Sequence, residues 1–88
     1  MNGYVYILRS LKNYRFYIGS TVNVDSRLKM HNKGFVLSTR NSRPYKIELI
    51  QKYSTITKAK QIEYKIKKLK RRDYIEKIVR DGYIRMDS

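Results

Sequence analysis

The chain opens on a dense apolar run, Tyr4-Val5-Tyr6-Ile7-Leu8-Arg9, whose β-branched and aromatic content predicts a strand. Strand side chains alternate between faces, so Tyr4, Tyr6 and Leu8 share one side while Val5 and Ile7 take the other. Leu11-Lys12-Asn13-Tyr14 turns the chain, with Asn13 the residue best suited to a left-handed conformation. Arg15-Phe16-Tyr17-Ile18-Gly19 returns as a second strand, and the pair reads as an antiparallel hairpin. In that second strand Arg15, Tyr17 and Gly19 lie on the face opposite to Phe16 and Ile18.

A short helix follows, with Asn23 as its N-cap, Asp25 at the positive end of the helix dipole and Gly34 as its terminator. Val24, Leu28 and His31 fall at i, i+4 and i+7, and Arg27 sits one turn before His31 on the same flank. Phe35 to Pro44 is a largely polar loop, which Pro44 closes. Tyr45-Lys46-Ile47-Glu48-Leu49-Ile50 is a third strand with Ile47 and Leu49 on one face. Lys58 to Arg72 is helical, capped by Thr57, with Ala59, Ile62, Ile66 and Leu69 as its apolar stripe. A last helix starts at Asp73 or Tyr74, turns Ile75, Ile78 and Val79 inward, and stops at Gly82. The order ββαβαα predicts an α+β fold, a small three-stranded antiparallel sheet flanked by helices. One domain over residues 1–82 is expected, with residues 83–88 as a C-terminal tail.

Composition narrows what such a domain does. Eighty-eight residues form a single small core that buries only about 60–65% of the unfolded surface. Twenty-one Lys and Arg against seven Asp and Glu give a formal charge of +14. Nine tyrosines, two phenylalanines and 41% hydrophobic residues argue against disorder despite that charge. The lack of cysteine excludes a disulfide scaffold, a thiolate metal site and cysteine nucleophile chemistry. A single histidine, His31, argues against zinc. No apolar run approaches the roughly 18 residues of a membrane span, and the N-terminus lacks a signal-like pattern. The expectation is a soluble cytoplasmic protein, away from membranes, whose partner is a polyanion, with nucleic acid the commonest.

The basic residues concentrate in the long helix: Lys58, Lys60, Lys65, Lys67, Lys68, Lys70, Arg71 and Arg72 against one acid, Glu63. Like charges at i, i+4 repel, so this density works against folding unless a phosphate backbone turns it into affinity. Glu63 stands at the margin of the Ile62–Ile66 stripe. Its spacing fits either an ion pair with Lys67 one turn on or a carboxylate holding a divalent cation at a cleft edge. Tyr6 and Tyr17, on adjacent strands, read singly as core residues. With Gly19 and a helix bearing Arg27 and His31 beside them, they supply candidates for phosphodiester hydrolysis, which needs a base, a cation on the phosphate and a metal. His31, with an ordinary pKa near 6.5, suits proton transfer; the other reading is a helix-end histidine bonded to a backbone carbonyl.

Tyr4-Val5-Tyr6, ten residues of spacer and Tyr17-Ile18-Gly19 resemble the paired motif of the GIY-YIG nuclease superfamily. The resemblance is closest to small single-domain bacterial proteins similar to the N-terminal nuclease domain of UvrC. It extends through Gly19-Ser20-Thr21, Arg27, His31-Asn32-Lys33-Gly34, the loop from Thr39-Arg40 to Pro44, and Ala59 to Leu69 with Glu63-x-x-x-Lys67. About residues 3–80 are covered. Two positions depart from the pattern: Tyr4 replaces the first glycine, and the last asparagine, Asn41, precedes Glu63, where several larger relatives place one after it.

The resemblance implies that Tyr6 and Tyr17 line the cleft, with Tyr6 activating water, and that Gly19 permits close approach. Arg27 would hold the scissile phosphate, His31 would share proton transfer, and Glu63 would bind a single Mg²⁺ or Mn²⁺. It implies metal-dependent endonuclease action on DNA, structure-selective and serving DNA repair or recombination, on branched or single-stranded forms, with RNA left open. Gly19, Thr21, Arg40, Arg43, Lys67, Lys68, Lys70 and Arg71 would contact the nucleic acid. A separate protein would supply targeting. The rival reading is a non-catalytic basic nucleic-acid-binding module on the same fold.

Overall fold

The computed structural model describes residues 1–86. Its elements are β1 (Gly3–Ser10), β2 (Phe16–Thr21), α1 (Val24–Asn32), β3 (Tyr45–Tyr53), α2 (Ile56–Leu69) and α3 (Arg72–Asp81), the predicted order. One antiparallel sheet, ordered β2-β1-β3, puts the apolar opening strand at its centre. Strand alternation divides the core in two. On one face Val5, Ile7, Ile18 and Leu49 pack with Ala59, Ile62 and Ile66 of α2 and Ile78 of α3. On the other Tyr6, Leu8 and Tyr45 pack with Val24 and Leu28 of α1.

The hairpin turn differs from expectation in one residue. Tyr14, not Asn13, takes the positive φ, at 64°. Asn13 is occupied otherwise: its Oδ1 accepts the Arg15 N–H at 3.0 Å and its amide donates to Ser42 Oγ at 2.9 Å. In β3 the expected shared face of Ile47 and Leu49 is also corrected. The register shifts between Ile7 and Leu8, pairing Ile7 with Leu49 but Leu8 with Ile47. That bulge turns Ile47 onto the α1 side and leaves Leu49 on the α2 side, so each layer receives one of them. The polar loop contains a single 3₁₀ turn, Arg40–Ser42.

The long helix begins and ends earlier than its charge pattern suggests. Thr55 rather than Thr57 caps it, accepting the Lys58 N–H at 3.1 Å, and Ile56 is recruited against the core. It stops at Leu69, which is 44% exposed and not part of the stripe, because Lys70 turns left-handed at φ 51°. The break has a geometric cause. At about 100° per residue, an unbroken helix would carry Ile75 roughly 180° round from Ile66, away from the core. Only a reset of direction buries both stripes, and a left-handed lysine costs on the order of 1–2 kcal/mol to make it. After Gly82 the chain does not leave the domain at the expected boundary. Ile84 is buried, and its N–H and carbonyl are clamped by the Gln51 amide at 2.6 and 3.1 Å. Residues 87 and 88 of the expected tail lie outside the described residues.

Tyr6 of β1 pairs across the sheet with Gly19 of β2, and its ring lies over that glycine. A Cβ at position 19 would collide with the Tyr6 hydroxyl. Gly19 therefore accommodates Tyr6, while the resemblance assigned it to the approach of substrate.

Two stability predictions follow from this packing. Ile62→Ala removes a fully buried side chain and lowers the urea-unfolding free energy by about 2–5 kcal/mol, whereas exposed Ile50→Ala changes it by less than about 0.5 kcal/mol. Gly19→Ala costs about 1–3 kcal/mol by overpacking, and shifts the His31 ring resonances in NMR spectra because Tyr6 must move.

Candidate active site

A shallow cleft of about 460 Å³ wraps the free edge of β2, lined by Tyr6, Tyr17, Gly19, Ser20, Arg27, Lys60, Glu63, Tyr64 and Lys67. Its walls come from both sides of the sheet. Tyr6, Tyr17 and Gly19 face α1, while Ser20, alternating with them along β2, faces α2 and Glu63.

Behind the cleft lies a buried polar chain. The Tyr6 hydroxyl and His31 Nε2 are 3.1 Å apart, and His31 Nδ1 and Thr39 Oγ1 are 2.8 Å apart. Thr39 Oγ1 in turn donates to the Val36 carbonyl at 3.3 Å. With the threonine proton committed there, Thr39 accepts from Nδ1–H, which leaves Nε2 to accept from Tyr6. Burial, reinforced by the nearby Arg27 charge, pulls the His31 pKa below its ordinary 6.5, so the ring is neutral. Burial pushes the Tyr6 phenol well above the usual tyrosine range; Tyr17 and Glu63 act in the same direction, and Arg27 opposes them. Tyr17 fixes the imidazole edgewise, with ring centroids 4.8 Å apart.

His31 is fully buried and does not line the cleft, whereas Tyr6, whose hydroxyl is hydrogen-bonded to its Nε2, is 1% exposed and does. Nor is His31 the helix-end histidine bonded to a carbonyl. The ring is instead set by two side-chain hydroxyls.

Glu63 satisfies both of its readings in part. Its Oε2 meets Lys67 Nζ at 2.6 Å, the i, i+4 pair, and its Oε1 accepts from the Ser20 hydroxyl. Lys67 also lies over the Tyr17 ring, 5.4 Å from its centroid. No group of three or more His, Asp or Glu side chains surrounds a point among the described residues, so no protein cage for a metal exists there. One partly exposed carboxylate beside a hydroxyl is an all-oxygen donor set, and the Lys67 ammonium shows that this carboxylate already attracts a cation. Such a set fits Mg²⁺ or Mn²⁺, which keeps several waters and takes further ligands from phosphate.

The other predicted residues fall in three places. Thr21 is buried, and its hydroxyl holds the β2–α1 turn through Asn23 N–H and C=O at 3.2 and 3.3 Å, so it is corrected from nucleic-acid contact to turn closure. Arg40 and Arg43 brace the 35–44 loop by donating to the Gly34 and Arg40 carbonyls, outside the cleft. Lys68 lies over Tyr64 on the outer side of α2, and Lys70 and Arg71 rim a separate groove at the α2–α3 break. Ser20, Thr39 and Asn32 stand within the segments quoted for the resemblance but carry no role there. Ser20 is recoverable from strand alternation opposite Glu63. Thr39, and the Asn32 amide that clamps the Tyr45 backbone at 2.7 and 3.2 Å, have no periodicity to betray them.

Comparison with known proteins agrees with this geometry. The family model for the GIY-YIG catalytic domain matches residues 2–77. A UPF0213 protein of Bacillus licheniformis is 40% identical over 83 residues, covering 90% of this chain and 84% of that one. Another from Oceanobacillus iheyensis is 39% identical over 69 residues, covering 77% and 79%. The solution NMR structure of a UPF0213 protein from Bacillus halodurans superposes with a TM-score of 0.58 at 34% identity, covering 93% of this chain and 87% of that one. With Tyr6 and Tyr17 lining a cleft at the sheet edge and the family model matching residues 2–77, this chain is a member of the GIY-YIG catalytic-domain family.

Proposed function

We propose that this protein is a metal-dependent endonuclease that hydrolyses phosphodiester bonds in DNA, selecting by structure rather than sequence. The observation that carries the reading is the hydrogen-bond chain Tyr6–His31–Thr39, which ends in a basic cleft containing Arg27 and one carboxylate. Arg27 binds the non-bridging oxygens of the scissile phosphate and offsets charge gained in the transition state. The Tyr6 phenol is protonated at rest, so it acts by relay: it takes a proton from the attacking water as it passes its own to neutral His31 Nε2. Burial is the main reason the His31 pKa is low and Arg27 adds to it; a phosphate at Arg27 removes the second contribution and so makes the buried imidazolium less costly. Glu63 would hold Mg²⁺ or Mn²⁺ after Lys67 swings aside to the phosphate backbone, and such a cation supplies Lewis-acid stabilisation to a departing oxygen. A resemblance to the UvrC nuclease domain supports work in DNA repair or recombination, with a separate protein giving the target.

A second reading is favoured by one observation. Both oxygens of Glu63 are already engaged, by Ser20 and Lys67, which suits a non-catalytic nucleic-acid-binding module.

Nicking of supercoiled plasmid, and of labelled branched, flapped and single-stranded DNA with an RNA control, separates the two. Cleavage is expected with Mg²⁺ or Mn²⁺ and not with EDTA. Arg27→Ala and Glu63→Ala, purified identically, lose on the order of 10²–10³-fold in rate while still binding. Tight binding without scission on every substrate would establish the module instead.

The relay also sets a pH dependence. The folded His31 pKa is depressed below 6.5, so below that pH the unfolded chain takes up a proton the folded chain refuses. Stability is therefore complete above about pH 6.5 and falls on acidification, by at most about 1.4 kcal/mol per pH unit, until His31 protonates in the fold. Urea unfolding at pH 7.5 and 5 should show this, with a shallower loss in His31→Gln. Cleavage per folded molecule should persist through that range and fade only at more acidic pH, once His31 protonates in the fold and cannot accept from Tyr6.

A further inference from the structure

The break between α2 and α3 opens a groove of about 380 Å³ beside the cleft. Its floor is apolar: Ile18 and Ile66 are buried beneath it and Ile75 lines one side. Its rim is entirely basic, with Arg15, Lys67, Lys70, Arg71 and Arg72. Among the described residues Arg15 and Lys70 carry no ion pair, while Arg71 and Arg72 are held by Asp73 and Glu76. At one end the Phe16 ring meets the guanidinium groups of Arg9 and Arg72, at 5.1 and 5.0 Å from its centroid. At the other, Tyr17 and Lys67 belong to the groove and to the cleft alike, so the two depressions share a wall.

A phosphate alone explains only the rim, because an apolar floor does not repay the desolvation of an anion; an apolar guest alone explains only the floor, because it makes no use of the cations. A nucleotide satisfies both, with its flat base on the isoleucine floor and its phosphates against the rim. Bases in a duplex are stacked and paired on the inside, so only an unpaired base can enter.

Building on the nuclease reading, we infer that the α2–α3 groove is a subsite for the base of an unpaired nucleotide adjoining the phosphate held at Arg27. The substrate class it selects is a strand unpaired next to the cut. Lys70 fits this role: its backbone adopts a conformation that favours glycine, yet the residue there supplies a rim cation.

The test is binding in EDTA, which reads the subsite whether or not the protein cuts. Fluorescence anisotropy would compare a short labelled single strand with an abasic strand of equal length and charge. Wild type should bind the strand with bases several-fold more tightly than the abasic strand. Ile75→Asn, which makes the groove wall polar and adds no aromatic face, should narrow that preference and keep its affinity for the abasic strand. Lys70→Gly, which relieves the backbone, should unfold at the same or higher temperature and bind both strands more weakly. Photocrosslinking of wild type to a strand bearing 4-thiothymine should label peptides containing residues 15–18 or 66–75, independently of any variant. Equal affinity of wild type for both strands, an unchanged preference in a folded Ile75→Asn, or crosslinks confined to other peptides would overturn the subsite. Preference for bases without scission would uphold the subsite and remove the nuclease reading alone.

Discussion

A tyrosine hydroxyl and an imidazole are enclosed together in a domain of 88 residues, and such burial is costly unless each polar atom finds a partner. Tyr6, His31 and Thr39 meet that condition in sequence, with the Val36 carbonyl as the final acceptor. The three residues come from the central strand, the end of α1 and the following loop, so satisfying them fixes how those elements meet. Gly19 is required because the ring must cross its strand to reach the edge, and Asn32 pins the end of α1 to β3. The same enclosure that raises the Tyr6 pKa and lowers that of His31 makes them donor and acceptor in one direction.

Charge outside this enclosure is arranged differently. The cleft holds one carboxylate among several cations, so Lys67 closes on Glu63 by default, and the pair is partly exposed and weak. On the proposed nuclease reading, an arriving phosphate would compete for the lysine and a divalent cation for the glutamate. The resting ion pair would then be the counterpart of a filled site, and the two readings of Glu63 drawn from its spacing would describe two states of one residue.

The same economy appears at the α2–α3 break. Burying Ile62 and Ile66 together with Ile75 and Ile78 demands a change of helix direction near residue 70, and that change opens the basic-rimmed groove next to the cleft. A stability requirement thus creates surface that a ligand can use.

Much of this was written in the chain. Alternation along Tyr4–Leu8 and Phe16–Gly19 assigned both sheet faces, because strand geometry is local and side chains have no choice of side. The stripes of the last two helices required a break between them, since 3.6-residue periodicity cannot keep Ile66 and Ile75 on one face. The tyrosine pair, Arg27, His31 and Glu63 were recognisable by order and spacing. What the sequence did not contain was anything set by contacts distant along the chain. The bulge that sends Ile47 and Leu49 to opposite layers depends on pairing with β1, and the burial of Thr21 depends on how the turn closes. The partner of His31 is a tyrosine 25 residues away and a threonine in a loop without periodicity. Local geometry determined which elements form and which way they face; only packing them together decided which polar atoms lose water, and so which hydroxyl the histidine serves.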